Sequence, residues 1–161
     1  MSVIQSTGGI VYFFDEKKIA KFLLIKRHAM SGKIERVAPK GKIQPGEALQ
    51  KAAIREVTEE TGISPEKLVI EQMLGMTSLR SSQTMKNGMD KDITYFLMHY
   101  YGDPTHIRIQ DGEGYLGIYK RATLEEVSSL IYYQNLREIF SQAYDAIGQQ
   151  RVKMAFLDKI S

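Results

Sequence analysis

The chain has 161 residues, 43% of them hydrophobic and 25% charged, with a net charge of +3 and a pI near 9.0. It has no cysteine, which excludes disulfides and thiolate metal sites. His28, His99 and His106 lack metal-ligand spacing, so a protein-bound metal would have to rest mainly on oxygen. The basicity is mild and has no Lys/Arg run, which argues against a stable nucleic-acid partner. No apolar run reaches membrane-spanning length, and Met1–Thr7 lacks a signal-peptide core. These features point to a cytoplasmic protein with no membrane association. Its length suits one domain over residues 1–161.

"GGIVYFF" (Gly8–Phe14) and "IAKFLLI" (Ile19–Ile25) are β-branched and aromatic, with the polar "DEKK" between them, and predict a hairpin. Ser31–Glu47 is rich in Gly, Pro and Lys and predicts a loop. Ala48–Thr61 has helical periodicity and Gly62 as its stop, after which Ser64-Pro65-Glu66 can cap one further turn. Leu68–Thr77 predicts a strand, Ser78–Asp92 a polar loop, and "ITYFLMHYY" (Ile93–Tyr101) the clearest strand in the chain. "HIRI" (His106–Ile109) and "YLGIY" (Tyr115–Tyr119) flank the Gly-rich "DGEG" (Asp111–Gly114). Thr123-Leu124-Glu125-Glu126 fits a capping box, followed by helix over Leu124–Leu130 and Gln134–Ile147. Gly148–Ser161 reads as a tail, either a short helix or loose chain. Strands mixed with two main helices predict an α/β fold, a sheet with helices on both faces.

The helix over Ala48–Thr61 carries its carboxylates in an unusual place. With Leu49 at zero and about 100° per residue, Ala53, Val57 and Ala52 mark the apolar stripe. Glu56 falls near −20° and Glu60 near +20°, inside that stripe, with Glu59 at its edge near −80°. Lys51, Arg55 and Thr58 take the opposite, solvent face. Burying an unpaired carboxylate costs several kcal/mol, and two neighbours repel as well. A bound divalent cation compensates directly, and hard oxygen ligands suit Mg²⁺ or Mn²⁺. A charged surface helix with its core face turned by a third of a turn is the competing reading of the periodicity.

Gly41, then five residues, Glu47, seven more, then Arg55-Glu56-Val57, any residue, Glu59-Glu60, any residue, Gly62-Ile63 resembles the Nudix box of hydrolases acting on diphosphates linked to a group X. The order of strand, loop–helix box, later strands and C-terminal helix is similar to the Nudix domain from about Ser6 to Ile147. The resemblance implies an α/β/α sandwich with a mixed sheet, and metal-dependent hydrolysis of a phosphoanhydride. It also implies that Glu56, Glu59 and Glu60, with the backbone carbonyl around Gly41, hold Mg²⁺. Arg55 resembles the arginine that orients the glutamates, and Glu47 the glutamate that ties loop to helix. A surface reading of Arg55 and a purely structural, helix-dipole role for Glu47 in the first turn stay open. The base is expected to be Glu56, Glu59 or Glu113. Glu113 sits six residues ahead of Tyr119, resembling diadenosine tetraphosphate hydrolases.

"PKGKIQPGE" resembles the version found in dinucleoside polyphosphate and diphosphoinositol polyphosphate hydrolases, and "KDITYF" the corresponding strand of the diadenosine tetraphosphate enzymes. Lys40, Lys42, Arg36 and Lys91 are candidates for phosphate contact, with plain solvated lysines as the competing reading, and Tyr132 and Tyr133 near the C-terminal helix could stack a base or fill the gap between helix and sheet. Val37 and Tyr119 depart from that group, in which aromatic residues are common at the first position and tryptophan at the second. The expected substrate is a small nucleotide, first a dinucleoside polyphosphate. A nucleoside triphosphate such as oxidised dGTP, a diphosphoinositol polyphosphate, or a non-cleaving nucleotide sensor are the alternatives.

Overall fold

A computed structural model describes residues 3–28, 32–80, 90–109 and 115–160, together with the strand pair at 111–112. β1 (Ile4–Phe14) and β2 (Ala20–His28) form the expected hairpin, pairing antiparallel from Tyr12↔Phe22 to Phe14↔Ala20. The turn closes on Asp15, whose side chain accepts from the backbone N–H groups of Lys17 and Ile19.

Beyond this short ladder the two strands part, and each takes a new neighbour. β3 (Ile34–Val37) pairs with Ile25–His28 of β2, and β4 (Lys40–Lys42) pairs with Ser6–Gly8 of β1. The Ser31–Glu47 segment is therefore not a plain loop. Diverging strands leave unpaired backbone groups on both edges, and those groups need partners.

β5 (Leu68–Leu79), β6 (Lys91–Tyr100), β7 (Asp111–Gly112) and β8 (Tyr115–Ala122) complete the mixed sheet, in the order β5-β6-β1-β2-β8-β7. β1 and β6 run parallel over nine residue pairs, from Ile4↔Lys91 to Tyr12↔His99. Leu79 and Lys91 pair, so the ladder takes both ends of the segment expected as a loop at Ser78–Asp92. "HIRI" forms no strand. Pro104–His106 makes a 3₁₀ turn, and Arg108 donates its backbone N–H to Thr61 at 2.8 Å.

α1 (Leu49–Thr61) lies on one face, where Ala53 and Val57 share a core with Val11, Phe13, Leu23, Ile25, Phe96 and Met98. α2 (Leu124–Leu130) and α3 (Gln134–Ile160) lie on the other, where Val127, Leu136, Ile139 and Phe140 pack on Ile10, Tyr12, Phe22, Leu24 and Leu97. Alternate residues of β1 and β2 feed opposite cores, as the pleat requires. The layers are α/β/α, as expected for the Nudix resemblance.

α1 ends on Gly62, whose left-handed φ of 71° suits glycine. α2 opens on the capping box, Thr123 accepting from the Glu126 N–H and Glu126 from the Thr123 N–H. α3 does not stop at Ile147. It continues unbroken through Gly148 to Ile160, so the tail is an extension of the last helix.

Candidate functional site

The site lies where β1 and β2 part, with α1 against β4. Ala52, Ala53, Val57, Glu56 and Glu60 are the buried residues of α1, together with Thr61. The two carboxylates face inward, as the helical periodicity predicts, and Glu59 stays largely exposed.

Glu60 Oε2 accepts the backbone N–H of Lys40 at 3.0 Å, which fastens β4 to the helix. Next along β4 is Gly41. A Cβ built there would stand 1.9 Å from Glu56 Oε2 and 2.5 Å from Oε1. A side chain at position 41 would therefore displace the Glu56 carboxylate.

Arg55 departs from the expected solvent face. Its Cα lies on that side, but the long side chain folds back over the loop and is only 23% exposed. Nε and Nη2 donate to the two oxygens of Glu47 at 2.6 and 2.9 Å, a bidentate pair. Nη2 also reaches the Lys42 carbonyl at 3.1 Å, and Nη1 donates to Glu56 at 2.7 Å and to Glu59 at 3.2 Å. One guanidinium therefore joins β4, the loop and two helix glutamates.

Glu47 precedes the first turn of α1 rather than sitting in it, so the helix-dipole reading falls away. The Arg55 bond holds its carboxyl below the usual range, and the Glu47 bond raises Arg55 in turn. Burial pushes the Glu56 carboxyl up, against the opposing pull of Arg55.

A second set of charges lies beyond Glu60. The Lys40 ammonium is pushed down to about 8 by burial and by Arg27 and Lys91, against the attraction of Glu60 and Glu35. Arg27 pairs with Glu35 at 3.5 Å, and both are mostly buried. Glu35 also bonds the Tyr133 side chain. Burial, the Glu35 charge and that bond raise the Tyr133 hydroxyl. Lys26, Lys33, Glu35, Arg36, Tyr132 and Tyr133 line a cavity of about 490 Å³.

The structure thus brings together Glu56, Glu59, Arg55 and Gly41, and sets Lys40 beside Glu60, with the charge of Lys91 acting on Lys40. Arg36, Tyr132 and Tyr133 gather at the adjoining cavity. The rings of Tyr132 and Tyr133 meet edge to face, 5.3 Å apart, with Tyr132 77% exposed. Lys42 enters the site through its carbonyl, while the residue itself is exposed. Glu113 lies outside the described residues. Arg27 and Glu35 were not legible in the sequence as site residues. Both sit on strands whose pairing, Arg27↔Glu35 across β2 and β3, is the signal that places them.

Among the described residues, no three His, Asp or Glu side chains are gathered for a metal ion. Arg55 holds Glu56 and Glu59 instead. The donor set still suits a hard divalent cation: two inward carboxylates, an exposed third within reach of the same arginine, and a bare backbone segment over Glu56.

The family model of the NUDIX domain matches residues 5–143. The chain belongs to the Nudix family. Nudix hydrolases act on pyrophosphate bonds in nucleoside diphosphate-linked substrates, and the family generally uses divalent metal ions. Among solved structures, a C. elegans Ap4A hydrolase in a binary complex is similar, with a TM-score of 0.76 and 21% identity over 91% of this chain and 99% of that one. A NUDIX hydrolase of Listeria monocytogenes has a TM-score of 0.73 at 11% identity, covering 93% of this chain and 97% of its own. The E. coli dihydroneopterin triphosphate pyrophosphohydrolase has a TM-score of 0.67 at 18% identity, covering 88% and 97%. At these identities the likeness is one of fold. No helix among the described residues is long and apolar enough to cross a membrane.

Proposed function

We propose that this Nudix hydrolase, a single catalytic unit over residues 1–161, uses Mg²⁺ to cleave a phosphoanhydride in a dinucleoside polyphosphate such as diadenosine tetraphosphate. Glu56, Glu59 and Glu60 would hold the cation, with the Gly41 carbonyl as a further ligand. When bound, the cation neutralises charge on the phosphate oxygens and makes a water more acidic. Arg55 draws the Glu56 carboxyl toward its ionised form, against the larger effect of its burial.

Water attacks phosphorus, a P–O bond forms, and the bridging P–O bond breaks with the phosphate as leaving group. Glu59 accepts the water's proton at Oε2, its solvent-exposed carboxylate being steadied by Arg55 at 3.2 Å. Glu56 and Glu113 are the other candidate bases. Lys40, Lys91 and Arg27 supply the cations that a long phosphate chain needs, and Arg36 continues them to the cavity. Tyr132 presents an open ring face on which a base can stack.

The observation that carries the substrate reading is the continuity of these cations with an aromatic-walled cavity of about 490 Å³, a size that suits a nucleoside. The test is turnover on a panel of diadenosine polyphosphates, nucleoside triphosphates including oxidised dGTP, and diphosphoinositol polyphosphates. A dinucleoside polyphosphate should give the highest kcat/KM. A preference of more than about tenfold for a mononucleotide would replace it with triphosphate pyrophosphohydrolysis.

A further inference from the structure

α3 outruns the sheet it packs on. Ala143, Ala146 and Ile147 are its last buried residues, and from Arg151 to Ile160 every residue is exposed. Ten residues extend the helix by about 15 Å, and a helical end of that length is marginal in water without packing. Arg151 anchors the near end by lying 4.0 Å over the Phe14 ring and donating to the Lys18 carbonyl. Met154 and Leu157 continue the core-facing row past the sheet.

The opposite face carries exposed apolar residues among polar ones, Asp145, Gln149 and Lys153. Val152 is 71% exposed, Phe156 62% and Ile160 65%, and Tyr144, Gly148, Val152 and Phe156 line an open groove. Gly148 stands out within it. A glycine inside a helix is less favourable than alanine. Yet a Cβ at Gly148 would meet nothing within 4 Å, so no contact within this chain requires it.

We infer that this outer face of α3 is a self-association surface that pairs antiparallel with the same helix of a second copy, about a two-fold axis at Val152. The helix is self-complementary in that register. With Val152 at zero and about 100° per residue, Asp145 lies near +20°, Lys159 near −20°, Gly148 near −40° and Phe156 near +40°. Asp145 and Lys159 are equally far in sequence from Val152, on opposite sides, so each meets its opposite charge on the second copy. Gly148 and Phe156 are likewise equidistant, so the bulky ring of one copy faces the notch of the other. The missing side chain at Gly148 then has a reason. The matched segment, Tyr144 to Ile160, is about 25 Å long. A pair of such helices buries on the order of 1,000 Å², at the low end for specific interfaces, which fits a reversible dimer.

Sedimentation velocity of the full chain from about 5 to 500 µM tests this. The wild type should pass from monomer to dimer within that range. Val152→Asp should stay monomeric throughout. Asp145→Lys and Lys159→Asp should each weaken the dimer by about tenfold or more, and the double reversal should restore it to within about threefold. A wild type that stays monomeric, a Val152→Asp variant that dimerises normally, or a double reversal without rescue would overturn the proposal. So would a wild type that sediments with anionic vesicles while remaining monomeric without them.

Discussion

Gly41 and Glu56 are so closely opposed that a Cβ on the glycine would overlap the glutamate's carboxylate, 1.9 Å from Oε2. A side chain here could be accommodated only by moving Glu56 from its place. Gly41→Ala must turn the Glu56 carboxylate off Arg55 or lift β4 from β1, and because the overlap is with the end of a flexible side chain the loss of stability should be small. Thermal unfolding should show the loss, and metal-dependent turnover should fall further than stability alone accounts for. An alanine variant with wild-type melting and turnover would refute the close packing.

Arg55 joins four groups with one planar fork. Lysine keeps the charge but cannot donate to both Glu47 oxygens, the Lys42 carbonyl and Glu56 together. Arg55→Lys should lower kcat or metal affinity by about 10–100-fold, as expected for a residue that orients ligands. Its fold should survive, since Val57 and Ala53 carry the packing of α1. Equal kcat and metal affinity in the variant would reduce Arg55 to a surface ion pair.

Glu35 ties Arg27 to Tyr133 from a mostly buried position. Glu35→Gln keeps the shape and removes the charge. It should raise KM for the nucleotide by about tenfold while changing kcat little, because the residue ties Arg27 and Tyr133 rather than the α1 carboxylates Glu56 and Glu59. A loss confined to kcat would mean that Glu35 acts on the chemistry instead.

Glu126 carries the clearest pH signature outside the site. Its bond to Lys120 at 2.9 Å, with the N–H of Thr123, lowers its carboxyl to about 2. A depressed folded pKa stabilises at neutral pH, and that contribution fades as pH falls from the ordinary 4.5 toward 2. Glu126→Gln should melt lower than wild type at pH 7, with the gap closing as pH drops through that window. A gap independent of pH would assign the effect to the capping box alone.

Much of this was legible in the chain. The inward placement of Glu56 and Glu60 follows from helical periodicity, because their backbone positions fix which way they point. Arg55 escaped that logic, since a long side chain can leave the face its Cα occupies. β3 and β4 were hidden because strands of four and three residues carry too few alternations to stand out among Gly, Pro and Lys. Arg27 and Glu35 are ordinary surface types in the sequence, and only their cross-strand pairing brings them inward. The length of α3 was missed because Gly148 looks like a stop, whereas the helix runs through it.

The most direct measurement is thermal melting of wild type and Glu56→Gln with and without Mg²⁺. If Glu56 holds the cation, Mg²⁺ raises the wild-type melting temperature by mass action and leaves the variant nearly unmoved, while the metal-free variant melts no lower than the wild type. An equal Mg²⁺ shift in both proteins, or a metal-free variant that melts far below wild type, would mean that the buried carboxylate serves the fold and not the ion.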